Sequence, residues 1–116
     1  MMGLFFCALM GIFNKERINM RTIMDLTNDK ERVYIMCRTD RCAMQFLLNA
    51  EDEGIRFANS QLPTSGSLQD LYCLHKNGTL WYMGMAARMK YHYEKESAFC
   101  VDYERYIRGE NQYLVK

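Results

Sequence analysis

The sequence predicts an α+β fold: a small, mainly antiparallel sheet with helices packed on one face. Three observations carry this. Residues 71–84, LYCLHKNGTLWYMG, place two apolar and aromatic runs on either side of Asn77-Gly78. Both turn positions tolerate positive φ, so the pair predicts a two-residue hairpin loop. Residues 41–53 carry Ala43, Phe46, Leu47 and Ala50 at the spacing of one helix face. Residues 32–37, RVYIMC, form a short β-prone run bounded by charges, the pattern of a strand buried on both faces. The element order strand–helix–strand–hairpin–helix–strand–helix then calls for helices laid over one sheet.

Taken in order, residues 1–19 stand apart. The first thirteen, MMGLFFCALMGIF, are almost wholly apolar but too few to span a bilayer as a helix. No charge precedes them, as a secretory signal would require. Lys15-Glu16 can be encoded as a purine-rich ribosome-binding sequence three codons upstream of Met20. Residues 1–19 are therefore expected to be an apolar extension, read either as an interfacial helix or core strand or, with Met20 as the start, as lying outside the natural protein; residues 20–116 are expected to form a single domain.

After the strand at 32–37, Thr39 or Asp40 caps the helix over 41–53, and Gly54 ends it. Glu51, Asp52 and Glu53 oppose the helix dipole there, which reads as a solvated end beside Arg56. Residues 55–58 form the next strand. Residues 59–70 hold the single proline and read as a surface loop. In the hairpin, a two-residue loop sets Leu74 opposite Trp81 and Tyr72 opposite Met83 on one face. His75/Leu80 and Cys73/Tyr82 then fall on the other. Residues 85–93 form a short helix with Met85, Ala86, Met89 and Tyr93 along one side. Residues 98–103 alternate as the last strand, Asp102 caps a final helical segment over 103–108, and Gly109 stops it.

Composition bounds the function. In 116 residues the formal net charge is +1, which argues against a sequence-independent nucleic-acid coat and against an acidic DNA mimic. The five cysteines sit among apolar residues with no Cys-x-x-Cys pair, the pattern of reduced, buried thiols in a cytoplasmic protein. The two histidines, His75 and His92, lie in different elements, so no metal site is expected. No nucleotide loop, nucleophile elbow or zinc-protease motif occurs. Cys73 and His75 share a strand face at about 7 Å, long for a catalytic pair. Glu94, Glu96, Asp102 and Glu104 lie in charged stretches and read as solvated. The chain is thus expected to be no enzyme and to need no cofactor.

The aromatic residues are distributed unevenly. Seven of the eight tyrosines and the only tryptophan fall between Tyr72 and Tyr113, interleaved with Arg88, Lys90, Lys95, Arg105 and Arg108. Tyr, Trp and Arg anchor protein interfaces, and the same mixture stacks on nucleobases and pairs with phosphates. Trp81, Tyr82, Phe99 and Tyr103 are expected to close the core. Arg88, Tyr91, His92, Tyr93, Arg105 and Tyr106 are the expected partner- or ligand-binding residues.

Residues 33–57, VYIMCRTDRCAMQFLLNAEDEGIRF, resemble a recurring opening of small uncharacterised proteins of phages and mobile elements of Gram-positive bacteria. There a short strand ends at a polar cap, and a helix, a glycine and an aromatic strand follow. A later strand pair and a terminal Asp-Tyr-like segment are similar to residues 77–103. The resemblance covers about 70 residues in element order. It implies a genomic setting and transfers no functional residue. The resulting expectation is a cytoplasmic, non-enzymatic phage or mobile-element protein with an anti-defence role, inhibiting a host protein by binding it. A sponge for a nucleotide signal and a nucleic-acid-binding regulator are the alternatives. No stable membrane insertion is expected, and a homo-oligomer is compatible with the chain.

Overall fold

A computed structural model describes residues 21–94 and 99–115. The expectations for residues 1–19, Cys7, Lys95, Glu96 and Ala98 fall outside the described residues. In chain order the elements are β1 (Arg32–Met36), α1 (Asp40–Asp52), β2 (Arg56–Phe57), β3 (Leu71–His75), β4 (Thr79–Tyr82), α2 (Met85–Glu94), β5 (Cys100–Asp102) and α3 (Tyr103–Ile107). The strands form one sheet in the order β2-β4-β3-β1-β5. The fold is α+β, but the sheet is mixed rather than mainly antiparallel. β1–β3 and β3–β4 are antiparallel, while β1–β5 and β2–β4 are parallel.

The mixed character follows from the crossovers. The chain passes from β1 through α1 to β2 in one direction across the sheet, and from β4 through α2 to β5 in the other. Parallel crossovers share a right-handed sense, so opposite directions put their helices on opposite faces. The packing agrees. Ala43, Phe46, Leu47 and Ala50 of α1 join Val33, Ile35, Tyr72, Leu74, Leu80 and Val101, with Tyr103 and Tyr106 of α3, in the larger core. Ala87 and Tyr91 of α2 pack against Tyr34, Leu71, Cys73 and Cys100 on the other face. Helices thus lie on both faces, not on one. Beyond β5, the backbone at Tyr113 and Val115 bonds to Asp102 and Cys100, covering that sheet edge.

Local expectations for α1 hold. Thr39 is the cap and accepts from the Cys42 amide at 3.1 Å. Its acidic end, however, is not a solvated face. The Glu53 carboxylate accepts the Ile23 and Met24 amides at 2.7 and 3.0 Å. Glu51 accepts the Thr64 hydroxyl at 2.6 Å and its amide at 3.3 Å. These bonds, the hydroxyl first, hold the Glu51 carboxyl below its ordinary range. The carboxylates tie two loops to the helix end, which offsets their conflict with its dipole.

The hairpin differs by one residue. Leu74 opposes Leu80, Cys73 opposes Trp81 and Tyr72 opposes Tyr82. The loop has three residues, with the Gly78 amide donating to the His75 carbonyl at 2.9 Å and Gly78 at φ +86°. This is a type I turn closed by a left-handed residue, a geometry that needs the positive φ only at glycine. The Asn77 side chain supports it by accepting from the Thr79 amide at 3.0 Å. A one-residue slip turns every β4 side chain to the other face. Leu80 therefore enters the core, and Trp81, expected inside, is 46% exposed. Tyr82 is also exposed rather than core. Its ring stacks on Phe57 at 4.5 Å, and its hydroxyl lies over Gly66, where a Cβ would come within 1.8 Å of it. Tyr103 is buried and Phe99 partly buried, as expected.

Burial pushes the Tyr72 and Tyr106 hydroxyls up to about 12. In the unfolded chain they titrate near 10, so above about pH 10 the unfolded state holds fewer protons and stability falls with rising pH. Tm should therefore drop steeply between about pH 10 and 11.5 in a thermal melt series. A flat Tm over that window would contradict the burial of these hydroxyls.

Candidate functional site

The expected binding residues lie on two helices, and the structure separates them. α3 is an integral part of the core. Its Tyr106 is 4% exposed, donates its hydroxyl to the Thr22 carbonyl at 2.7 Å and packs edge-on to Tyr113 at 5.0 Å. The expectation of a surface role for Tyr106 is thereby corrected. Arg21 explains the burial: its guanidinium lies over that ring and donates to the Gly109 and Glu110 carbonyls at 3.1 and 2.8 Å, closing the helix end. Arg105 lies on the same helix, its Nε 3.9 Å from an oxygen of the Asp102 carboxylate, and does not line the notch beside α2.

Asp102 is 4% exposed, not solvated. One oxygen accepts the Arg105 amide at 3.4 Å, capping α3, and the other accepts Arg38 Nε at 2.8 Å. That bond holds the Arg38 guanidinium firmly protonated. β1 ends at Met36, so Arg38 emerges at the carboxyl ends of the parallel pair β1–β5.

α2 has two different sides. Toward the sheet, the Tyr91 ring meets Tyr34 at 4.9 Å and its hydroxyl pairs with the Cys100 thiol; burial first, then that bond, raises the hydroxyl pKa well above its ordinary value. Arg88 is anchored by Nε to the Met83 carbonyl at 2.9 Å and by a terminal nitrogen to Asp70 at 2.7 Å. Arg88, Tyr91 and His92 line a notch of about 560 Å³ with Met36, Arg38 and Asp70. Three of the six expected residues are thus brought together.

The other side of α2 faces outward. The row read along one side of the helix is exposed: Met85 is 81%, Met89 54% and Tyr93 86% exposed. The side that packs instead is Ala87 and Tyr91, offset by about half a turn. Met83, by contrast, is buried. By its register with Cys73, Trp81 stands on the same side of the sheet as α2, its ring 5.6 Å from His75. Among the described residues the four cysteines are buried and free. Cys37 and Cys42 share a hydrogen bond that raises the first thiol and lowers the second.

The sequence reading missed Arg38 and Asp70. The available signal was position alone: Arg38 stands between a strand end and a helix cap, where parallel-sheet folds present side chains to ligands. Asp70 has no local signal, since only the β1–β3 pairing brings it to that end.

No match to the chain was found among protein-family models, curated proteins or solved structures. Among the described residues no helix is long and apolar enough to cross a membrane, and no group of three or more His, Cys, Asp or Glu could hold a metal ion. The site is therefore read from its own geometry.

Proposed function

We propose that this chain is a non-enzymatic binding protein that acts by covering a surface of another protein, as a phage or mobile-element inhibitor of a host defence enzyme would. The observation that carries this is α2. It is a helix of 10 residues with no fully buried side chain, and Met85, Met89 and Tyr93 point outward at helical spacing. So short a helix gains most of its stability from packing an apolar face. Here the more apolar face is left for a partner. Trp81 is also exposed, on the same side of the sheet, and Trp, Tyr and Met are enriched at interface centres. Lys90 is exposed beside the row, so the complementary partner offers an apolar groove edged by carboxylates. Occlusion of this kind requires no catalytic group.

Native mass spectrometry of the tagged protein from its own host tests this, with Met89→Asp as the paired variant. A stoichiometric protein partner is expected, with its affinity reduced about tenfold or more by the substitution. A bare monomer, or a partner held equally by both chains, would overturn the proposal. A homodimer lost on substitution would assign the face to a second copy and likewise remove the host-protein reading.

A further inference from the structure

We propose that the notch between the end of β1 and α2 binds a phosphate ester of mononucleotide size. The phosphate would sit between Arg38 and Arg88, with the organic part along Met36 and Tyr91. This goes beyond the protein-binding row Met85, Met89 and Tyr93, from which the notch-lining residues of α2 are offset by about a third of a turn.

The first support is the pair of guanidiniums. Arg38 is held by Nε on Asp102, a buried carboxylate already committed to α3, and among the described residues its two terminal nitrogens have no partner. A planar fork held at one nitrogen and open at the others is pre-organised for phosphate oxygens. Arg88 is likewise oriented by Nε, on the Met83 carbonyl. Its ion pair with Asp70 is the second support. The Asp70 side chain is 72% exposed, so its ion pair is weak and yields readily to a stronger anion. With Asp70 swung out, two guanidiniums held by Nε line the notch, Arg38 with its buried Asp102 partner and Arg88 on the Met83 carbonyl. The third support is size and wall chemistry. About 560 Å³ lies within the range of small-molecule sites, and Met36 and the half-buried Tyr91 supply apolar surface beside the cations. The notch opens outside the carboxyl ends of two neighbouring parallel strands, the end at which such sheets receive ligands.

Asp70 makes the proposal unusually specific, because it competes with the ligand. Its backbone carbonyl accepts the Cys37 amide at 2.8 Å, and Asp70→Asn leaves that bond intact. Isothermal titration of the full chain at low salt, with adenosine monophosphate, uridine monophosphate, inorganic phosphate and adenosine as probes, provides the test. Saturable one-to-one binding of the nucleotides is expected. Arg38→Gln and Arg88→Gln should each weaken it about tenfold or more, and Asp70→Asn should tighten it severalfold. Melting curves of each variant separate lost binding from lost folding. No saturable nucleotide binding in the wild type and in the well-folded Asp70→Asn chain would overturn the proposal. So would affinity unchanged by Arg38→Gln, or adenosine binding as tightly as its monophosphate. Inorganic phosphate binding as tightly as the nucleotides would overturn the ester assignment.

Discussion

Phe46→Ala should destabilise the domain by about 3–5 kcal/mol, the usual cost of emptying a core phenylalanine site. Phe46 is 0% exposed and sits where α1 meets the sheet. Its ring lies 5.2 Å from Tyr72 on β3 and 5.1 Å, edge-on, from Tyr103 on α3. Truncation therefore removes both the transfer free energy of the ring and two aromatic contacts, each worth about 0.5–1.5 kcal/mol. The cavity is bounded by elements on three sides and collapses poorly. Against a total stability of about 5–15 kcal/mol, this is a large fraction. In urea the midpoint should fall with the slope m unchanged, and Phe46→Leu should recover most of the loss. A cost below about 1 kcal/mol would show that α1 is not seated on the sheet as described.

Asp102→Ala should cost about 2–3 kcal/mol. The cap of α3 contributes about 1 kcal/mol. The charge-assisted bond to Arg38 contributes about 1.5–3 kcal/mol before discounting, and less after it, because Arg38 is itself 59% exposed and rehydrates when released. Asp102→Asn separates the two contributions, since its one amide oxygen can keep the cap while its NH2 replaces the oxygen that accepts from Arg38; about half the effect should remain. Equal losses in both variants would mean the cap contributes nothing. A loss below about 0.5 kcal/mol in the alanine variant would mean that the carboxylate is not part of the built core.

How far the sequence can be read differs from element to element. The α1 face of Ala43, Phe46, Leu47 and Ala50 was legible because helical periodicity reports a single large neighbour, the sheet. In α2 the same reasoning picked out the row Met85, Ala86, Met89 and Tyr93 but left open whether it meets the core or a partner. Apolarity identifies a face that avoids water; it does not say whether the cover comes from this chain or another. The hairpin position was legible from Asn77-Gly78, while its loop length was not, since glycine with positive φ serves both two-residue and three-residue loops. That single residue decided whether Trp81 or Leu80 enters the core. Of the candidate site, Arg88, Tyr91 and His92 were visible as an aromatic and basic cluster. Tyr106 was misassigned because Arg21, 85 residues away, closes over it.

By itself the sequence determined the local features: a cap at Thr39 or Asp40, the helix α1, the turn at Asn77-Gly78, the cap at Asp102 and the near-neutral charge. Each depends on interactions within a few residues, which the chain carries wherever it folds. Only the tertiary structure decided the mixed sheet, the placement of helices on both faces, the outward row on α2 and the meeting of Arg38, Asp70 and Arg88. Those depend on which strands pair and in which direction the crossovers run. That choice is made by burying two sheet faces at once, and no short window of sequence contains it.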